Sequence, residues 1–423
     1  MKRGDTLTIY NQIKKDSQIW KFCFYGLLKN LKFFEPYLWI YLLSLGLNFF
    51  KIGLLFSIKE IITYIFEIPS GIFADNYGRK KELMICFTFY IISFVLFFIG
   101  TNFYLLSLAM ISFGLGEAFR SGTHKAMIYS YLEQKEWFKY KTFIYGRTRS
   151  FSLIGSSISA FLSIIFVLNI PTIRWIFLLC IVPYILDFLL IWSYPNSLDE
   201  RRKNSLSIAE FLKQIPIQLK SIFTNKLLTK VLLSSALYDG IFKTIKDYIQ
   251  PILKSTLLVF AISYFNNFGK DAIVKIYLGI IYGVFYIFSS LASKNVYRLN
   301  NRYNSNKLIN IFFDIMGIAC FALFAAIKNN FTIIIIVIFF ILYLLKDARR
   351  PLVVAVCGDN MSKHERATVM SVDSQLKSLF SILLAPLFGY IADKYSIHTL
   401  FLFIGIFIIV INRFLYLHTK NHD

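Results

Sequence analysis

Cysteine, histidine and acidic residues are all scarce in this chain. Its 423 residues hold five cysteines and five histidines. Cys23, Cys86, Cys180, Cys320 and Cys357 stand singly in or beside apolar runs, without a CxxC or a Cys/His pairing. That spacing supports neither a disulfide framework nor a metal site. No GxxxxGK[ST] loop occurs, so the usual ATP cradle is excluded. No His/Asp cluster or nucleophile motif is spaced for catalysis, so neither an enzyme nor a cofactor is expected. Acids number 24 against 46 Lys and Arg, a formal net charge of +22. A nucleic-acid-binding domain would gather those bases on one soluble segment. Here they lie scattered between apolar runs, so nucleic acid is not an expected partner. The opening MKRGDTLTIYNQIKKDSQIW has no apolar core ahead of a small-residue cleavage site, so a removable signal peptide is not expected.

Apolar residues, by contrast, are abundant: 57% of the chain is hydrophobic and mean hydropathy is +0.58. The runs are continuous over about 20 residues, the length that crosses a bilayer as a helix, and do not alternate as barrel strands would. Polar breaks divide them into twelve expected spans at 19–45, 50–74, 82–101, 103–131, 143–168, 172–193, 227–256, 271–292, 306–327, 331–357, 366–392 and 397–417. Basic residues gather in the connections after even-numbered spans, for example Arg79, Lys80 and Lys81, or Arg201, Arg202 and Lys203. By the positive-inside rule those loops and both termini face the cytoplasm of a cell-membrane protein.

The longest internal connection, 194–226, divides six spans from six, and its IAEFLKQIPIQLKSIF has the spacing of an amphipathic surface helix. Residues 1–193 and 227–423 therefore form two expected halves. They repeat one another: Glu35-Pro36 in span 1 answers Gln250-Pro251 in span 7, and Glu117-Ala-Phe-Arg120 in span 4 answers Asp347-Ala-Arg-Arg350 in span 10. An internally duplicated six-helix unit is how many secondary transporters are built.

A charge at mid-bilayer costs about 2.5 to 3.5 kcal/mol or more, so charges within spans are candidates for function. Glu35, Glu60, Glu117, Arg120, Arg149, Asp347, Arg350 and Asp373 are the candidates for a substrate or proton pathway. Opposite charges three or four residues apart share a helix face and can neutralise one another. That spacing pairs Lys32 with Glu35, Glu117 with Arg120, Lys243 with Asp247, Asp347 with Arg350 and Asp373 with Lys377. Asp187, in an otherwise lipid-like span, is read as structural, and His124 as a packing residue.

Between spans 2 and 3 the chain reads GIFADNYGRKK. Gly71 would let another helix approach, Gly78 would permit a turn of positive φ, Asp75 could accept N–H bonds at a helix start, and Arg79, Lys80 and Lys81 would stay in cytoplasmic water. Gly71-x-x-x-Asp75-x-x-Gly78-Arg79-Lys80-Lys81 resembles the loop signature of the major facilitator superfamily. The resemblance implies an all-α membrane protein of twelve transmembrane helices in two pseudo-symmetric six-helix halves. It also implies a gating role for Gly71, Asp75, Gly78, Arg79 and Lys80, with Asp75 set against the start of helix 11 and Arg79 paired with an acid at the end of helix 4. That end reads MIYSYLEQKE, which puts Ser130 and Tyr131 where the acid is expected. In span 5, Gly146 and Gly155 match the superfamily's antiporter motif only in part, its Gly-Pro being absent.

The expected function is secondary active transport by alternating access, coupled to protons through the intramembrane acids. Aromatic content of 18% favours efflux of drug-like or amphiphilic solutes. Uptake of a small anionic metabolite and a non-transporting membrane sensor are the alternatives. The expected partners are a small-molecule substrate, protons and the lipid bilayer, with the chain acting as a monomer.

Overall fold

A chain crossing a bilayer must satisfy every backbone N–H and C=O internally, which helices do within one segment. The computed structural model describes residues 3–199, 224–260, 270–300, 303–359 and 366–417, and among them are helices, turns and no strand. The expected amphipathic helix of the central connection lies outside the described residues. The helices are α1 (Arg3–Lys15), α2 (Ser17–Leu28), α3 (Leu38–Ser44), α4 (Phe49–Tyr77), α5 (Arg79–Ile99), α6 (Phe103–Arg120), α7 (Thr123–Gln134), α8 (Lys141–Asn169) and α9 (Trp175–Trp192). They continue with α10 (Lys226–Ile245), α11 (Ile249–Phe260), α12 (Lys270–Asn300), α13 (Ser305–Lys328), α14 (Thr332–Asp359), α15 (Arg366–Lys394) and α16 (Ile397–Phe414).

Three expected spans are broken rather than continuous. Span 1 ends as α2 at Leu28, runs without helix to a short 3-10 turn at Glu35–Tyr37, and resumes as α3. Pro36 has no N–H to give and disfavours helical backbone at Glu35, so the break falls where the sequence places the proline. Span 7 breaks at the 3-10 turn Lys246–Tyr248, ahead of Pro251. Span 4 breaks at Ser121–Gly122, where Gly122 has φ +77°. Among the described residues, eight helical stretches are long and apolar enough to cross a membrane. Spans 1, 2, 7 and 10 are not among them: two are broken, and all carry several charges.

The described residues divide into two compact units: 1–35, 65–100 and 104–208, and 36–64, 101–103 and 209–423. In the first, α2 packs on α8 and α5 on α9, which are spans 1 on 5 and 3 on 6. In the second, α10 packs on α15 and α13 on α16, which are spans 7 on 11 and 9 on 12. The same partners recur six spans later, the structural counterpart of the sequence repeat. Residues 36–64, the end of span 1 and the start of span 2, belong to the second unit. There the Trp39 N–H donates to Gln250 Oε1 at 2.9 Å, and Trp39 lies against Tyr248 with ring centroids 4.6 Å apart.

Candidate functional site

Among the described residues, charged side chains inside the spans gather most densely in three places. The first lies where span 4 breaks. Glu117 and Arg120, one turn apart on α6, form an ion pair, Tyr90 Oη donates to Glu117 Oε1 at 2.7 Å, and Lys32 Nζ approaches that oxygen at 3.6 Å. Unwound backbone between α2 and the 3-10 turn carries Lys32, so the break in span 1 positions this base. The second cluster joins two helices. Glu60 of α4, 4% exposed, receives Lys59 Nζ at 2.9 Å and Lys243 Nζ of α10 at 2.6 Å.

The third cluster surrounds a cavity of about 30 Å³, room for a water or two, whose lining joins Ser235, Asp239, Arg349, Arg350, Asp373 and Lys377 to the apolar Val353, Val354 and Cys357. Helical spacing aims these groups inward: Ser235 and Asp239 are one turn apart on α10, and Asp373 and Lys377 one turn apart on α15. Lys377 Nζ bridges both acids, at 2.7 Å to Asp239 and 2.6 Å to Asp373. Arg349, 2% exposed, is the best held of the bases. Its guanidinium lies 4.4 Å from the Tyr238 ring centroid and 5.4 Å from that of Phe313, and donates to Ser234 Oγ at 2.7 Å. A planar cation clamped between rings keeps its orientation without a carboxylate partner.

Several expected pairings are corrected by these contacts. Lys32 pairs with Glu117 rather than Glu35, because the helix that would have placed Lys32 and Glu35 on one face is unwound. Lys243 and Asp247 gain partners that spacing did not offer, Glu60 of α4 for the one and the neighbouring Lys246 at 3.3 Å for the other. Asp347 is taken by Lys346 at 2.9 Å, while Arg350 faces the cavity. Glu117 with Arg120 and Asp373 with Lys377 form as spaced. Glu35 sits half-buried in its 3-10 turn, and Arg149 is exposed on α8. Asp187 is fully buried, and among the described residues neither of its carboxylate oxygens has a hydrogen-bond partner. His124 stacks on Tyr25 with ring centroids 3.6 Å apart, a packing residue as expected.

The motif loop has found substitutes for the acid it lacks. Arg79 Nη1 donates to Ser130 Oγ at 2.7 Å. Gly78 has φ +105°, and the Lys80 N–H beyond it donates to Asp199 Oδ1 at 2.9 Å, so Asp199 supplies the cap that glycine cannot. Lys80 Nζ also reaches the Tyr194 carbonyl at 2.8 Å. Asp75 is half-buried on the last turn of α4. Sequence reasoning missed Asp239, Lys377 and Arg349 as a site, and Ser130 and Asp199 as anchors. Asp239 with Ser235 on one side of the cavity, facing Asp373 with Lys377, was available only as two unrelated helical pairs.

A helical, multi-pass membrane chain whose spans bury ion pairs, some of them around a small cavity, is of the polytopic transporter class. It belongs to the Major Facilitator Superfamily, whose sequence profile matches residues 22–269 and 252–422. Membership makes it a secondary transporter acting on small molecules across a membrane. The chain is 26% identical over 391 residues to the uncharacterized MFS-type transporter YxaM of Bacillus subtilis (strain 168), covering 89% of each. Its fold is similar to the nucleoside transporter NupG, with TM-score 0.78 and 15% identity over 95% of this chain and 98% of that one. It is also similar to a D-xylose-proton symporter, with TM-score 0.69 and 12% identity over 95% and 97%.

Proposed function

We propose that this chain is a proton-coupled secondary transporter of a small polar solute, working by alternating access, with the Asp239, Arg349, Arg350, Asp373 and Lys377 cavity holding the solute's charged or hydrogen-bonding end. The observation that carries this reading is the lining itself: two acids and three bases meet at one small cavity. A polar solute can exchange hydrogen bonds and ion pairs with these groups, which an apolar drug-like solute cannot. The fold neighbours named for nucleosides and xylose agree with a polar substrate. Efflux of drug-like compounds, favoured by aromatic content alone, draws no comparable support from the cavity. Proton coupling is assigned to the paired acids, of which Glu117 and Asp373 lie in clusters where a base can be released or claimed as the carboxyl changes charge. The cell membrane, cytoplasmic termini and a monomer complete the reading, with 1–193 and 227–423 as the moving halves.

Thermal-shift measurements on the purified chain against nucleosides, sugars, small acids, dipeptides and lipophilic dyes test it. A polar compound should raise the midpoint, and Lys377→Met should abolish the shift. Stabilisation by lipophilic dyes alone would contradict the polar-solute reading.

A further inference from the structure

Where spans 1 and 5 pack together, an exposed apolar face runs up to a base. On α8, Arg147, Phe151, Ile154, Ile158, Phe161 and Ile165 follow one another at intervals of four and three residues, so they share one side of the helix. From Ile154 onward all four are exposed. Trp20 and Phe24, one turn apart on α2 and both exposed, widen this face, their ring centroids lying 5.7 and 6.2 Å from that of Phe151. In a bilayer such a face meets acyl chains. Arg147 caps it, with its guanidinium 4.3 Å from the Trp20 ring centroid.

The same tryptophan ties α1 to this point. Its Nε1–H donates to the Lys14 carbonyl at 2.8 Å, and Arg147 Nη1 donates to that oxygen at 3.5 Å. The last turn of α1, which carries the exposed Lys14 and Lys15, is thereby held beside Arg147. One turn earlier the Tyr10 ring meets Tyr140 and Phe143 edge-on, each at 5.1 Å, around the start of α8. Asp16, the acid next in the chain, is already engaged: Oδ1 accepts from the Ile19 N–H at 2.9 Å and Oδ2 from Tyr131 Oη at 2.8 Å. Among the described residues Lys14, Lys15 and Arg147 have no ion pair. A similar face on α16, formed by Phe403, Phe407, Val410 and Phe414, also ends beside a base, but Arg413 there has Asp314 at 3.9 Å.

We propose that Arg147, Lys14 and Lys15 bind the phosphate of an anionic phospholipid whose acyl chains lie along Trp20, Phe24 and the apolar side of α8. From Arg147 to Ile158 the helix rises roughly 16 Å, the hydrocarbon depth of one leaflet. Trp20 then stands between headgroup and chains, the level at which membrane tryptophans gather. Three bases without acids suit a headgroup of net negative charge, whereas a phosphocholine brings its own cation. Each base near the membrane surface strengthens binding of such a lipid about fivefold. The bound lipid fastens α1 to the membrane, whatever solute the chain carries.

The test reads tryptophan fluorescence of the purified full-length chain in phosphatidylcholine bilayers holding a fixed minor fraction of acyl-brominated phosphatidylglycerol or, separately, of acyl-brominated phosphatidylcholine. Subtracting the same chain with Trp20→Phe isolates Trp20 from the other tryptophans. Brominated phosphatidylglycerol should quench Trp20 the more strongly, and the enrichment this reports should fall about fivefold in Arg147→Gln. Lys14→Gln combined with Lys15→Gln, which alters only the exposed end of α1, should lower it too. Arg149→Gln, which removes the same charge from the opposite side of α8, should leave it unchanged. Equal quenching by the two lipids would overturn the proposal, as would a loss in Arg149→Gln equal to that in Arg147→Gln, which would mean diffuse charge. Enrichment abolished by inorganic phosphate at matched ionic strength would mean a site for a free anion and no lipid site. Quenching of Trp20 by neither lipid would mean that a second copy of the chain covers this face.

Discussion

Glu60 is nearly sealed from solvent, yet it holds two lysines, one on its own helix and one from α10. Glu60→Gln would leave those lysines without their acid. Breaking a fully buried pair costs about 3 to 5 kcal/mol, and the half-exposed Lys243 lowers that to about 1 to 2 kcal/mol here. A double-mutant cycle with Lys243→Met, read by thermal unfolding, should return a coupling of that order. Asp187 is the opposite case, a buried carboxyl without a hydrogen-bond partner among the described residues. An unsatisfied buried polar group costs about 1 to 3 kcal/mol, so Asp187→Val should raise the unfolding midpoint and leave solute binding unchanged. At this scale the sequence was half legible. Glu117 with Arg120 and Asp373 with Lys377 could be read because helical spacing is local. Lys32 with Glu117, Glu60 with Lys243 and Lys377 with Asp239 could not, because each depends on which helices become neighbours.

Three spans of this chain break beside charged side chains: Lys32, Arg120, and Lys246 with Asp247. Spans 1, 4 and 7 were expected as single helices, and each is interrupted. Prolines 36 and 251 were visible, but a proline can equally kink a helix that stays continuous, so the length of the interruption was not. The motif loop shows the same division. The positive φ of Gly78 was expected from its place in the motif, whereas Asp199 as its neighbour was not, since it comes from the far end of the six-helix half. Gly78→Ala would bring a Cβ against the Asp199 carboxylate and strain the backbone, a cost of about 1 to 3 kcal/mol seen as lower expression and a lower unfolding midpoint. Ser130→Asp would turn the hydroxyl bond to Arg79 into a charge-assisted one, and should raise the midpoint where Ser130→Ala lowers it.

For the whole molecule, the all-helical fold, the membrane setting and the duplication were legible, because apolar length and repeated motifs survive in composition and order. The recurring partners, spans 1 on 5 and 3 on 6, then 7 on 11 and 9 on 12, give that duplication its physical form. Composition alone left the substrate open. Abundant aromatic residues pointed to drug-like compounds, but much of that aromatic surface packs against itself, as Phe34, Phe94 and Tyr184 do. The charged cavity was spread over three helices far apart in sequence. The most direct test is flux of the stabilising polar solute into proteoliposomes carrying the purified chain, with and without an imposed proton gradient. The gradient should drive accumulation, Asp239→Asn and Lys377→Met should abolish it, and a protonophore should collapse it in the native chain. Flux that ignores the gradient, or that survives loss of both Asp239 and Lys377, would contradict the account.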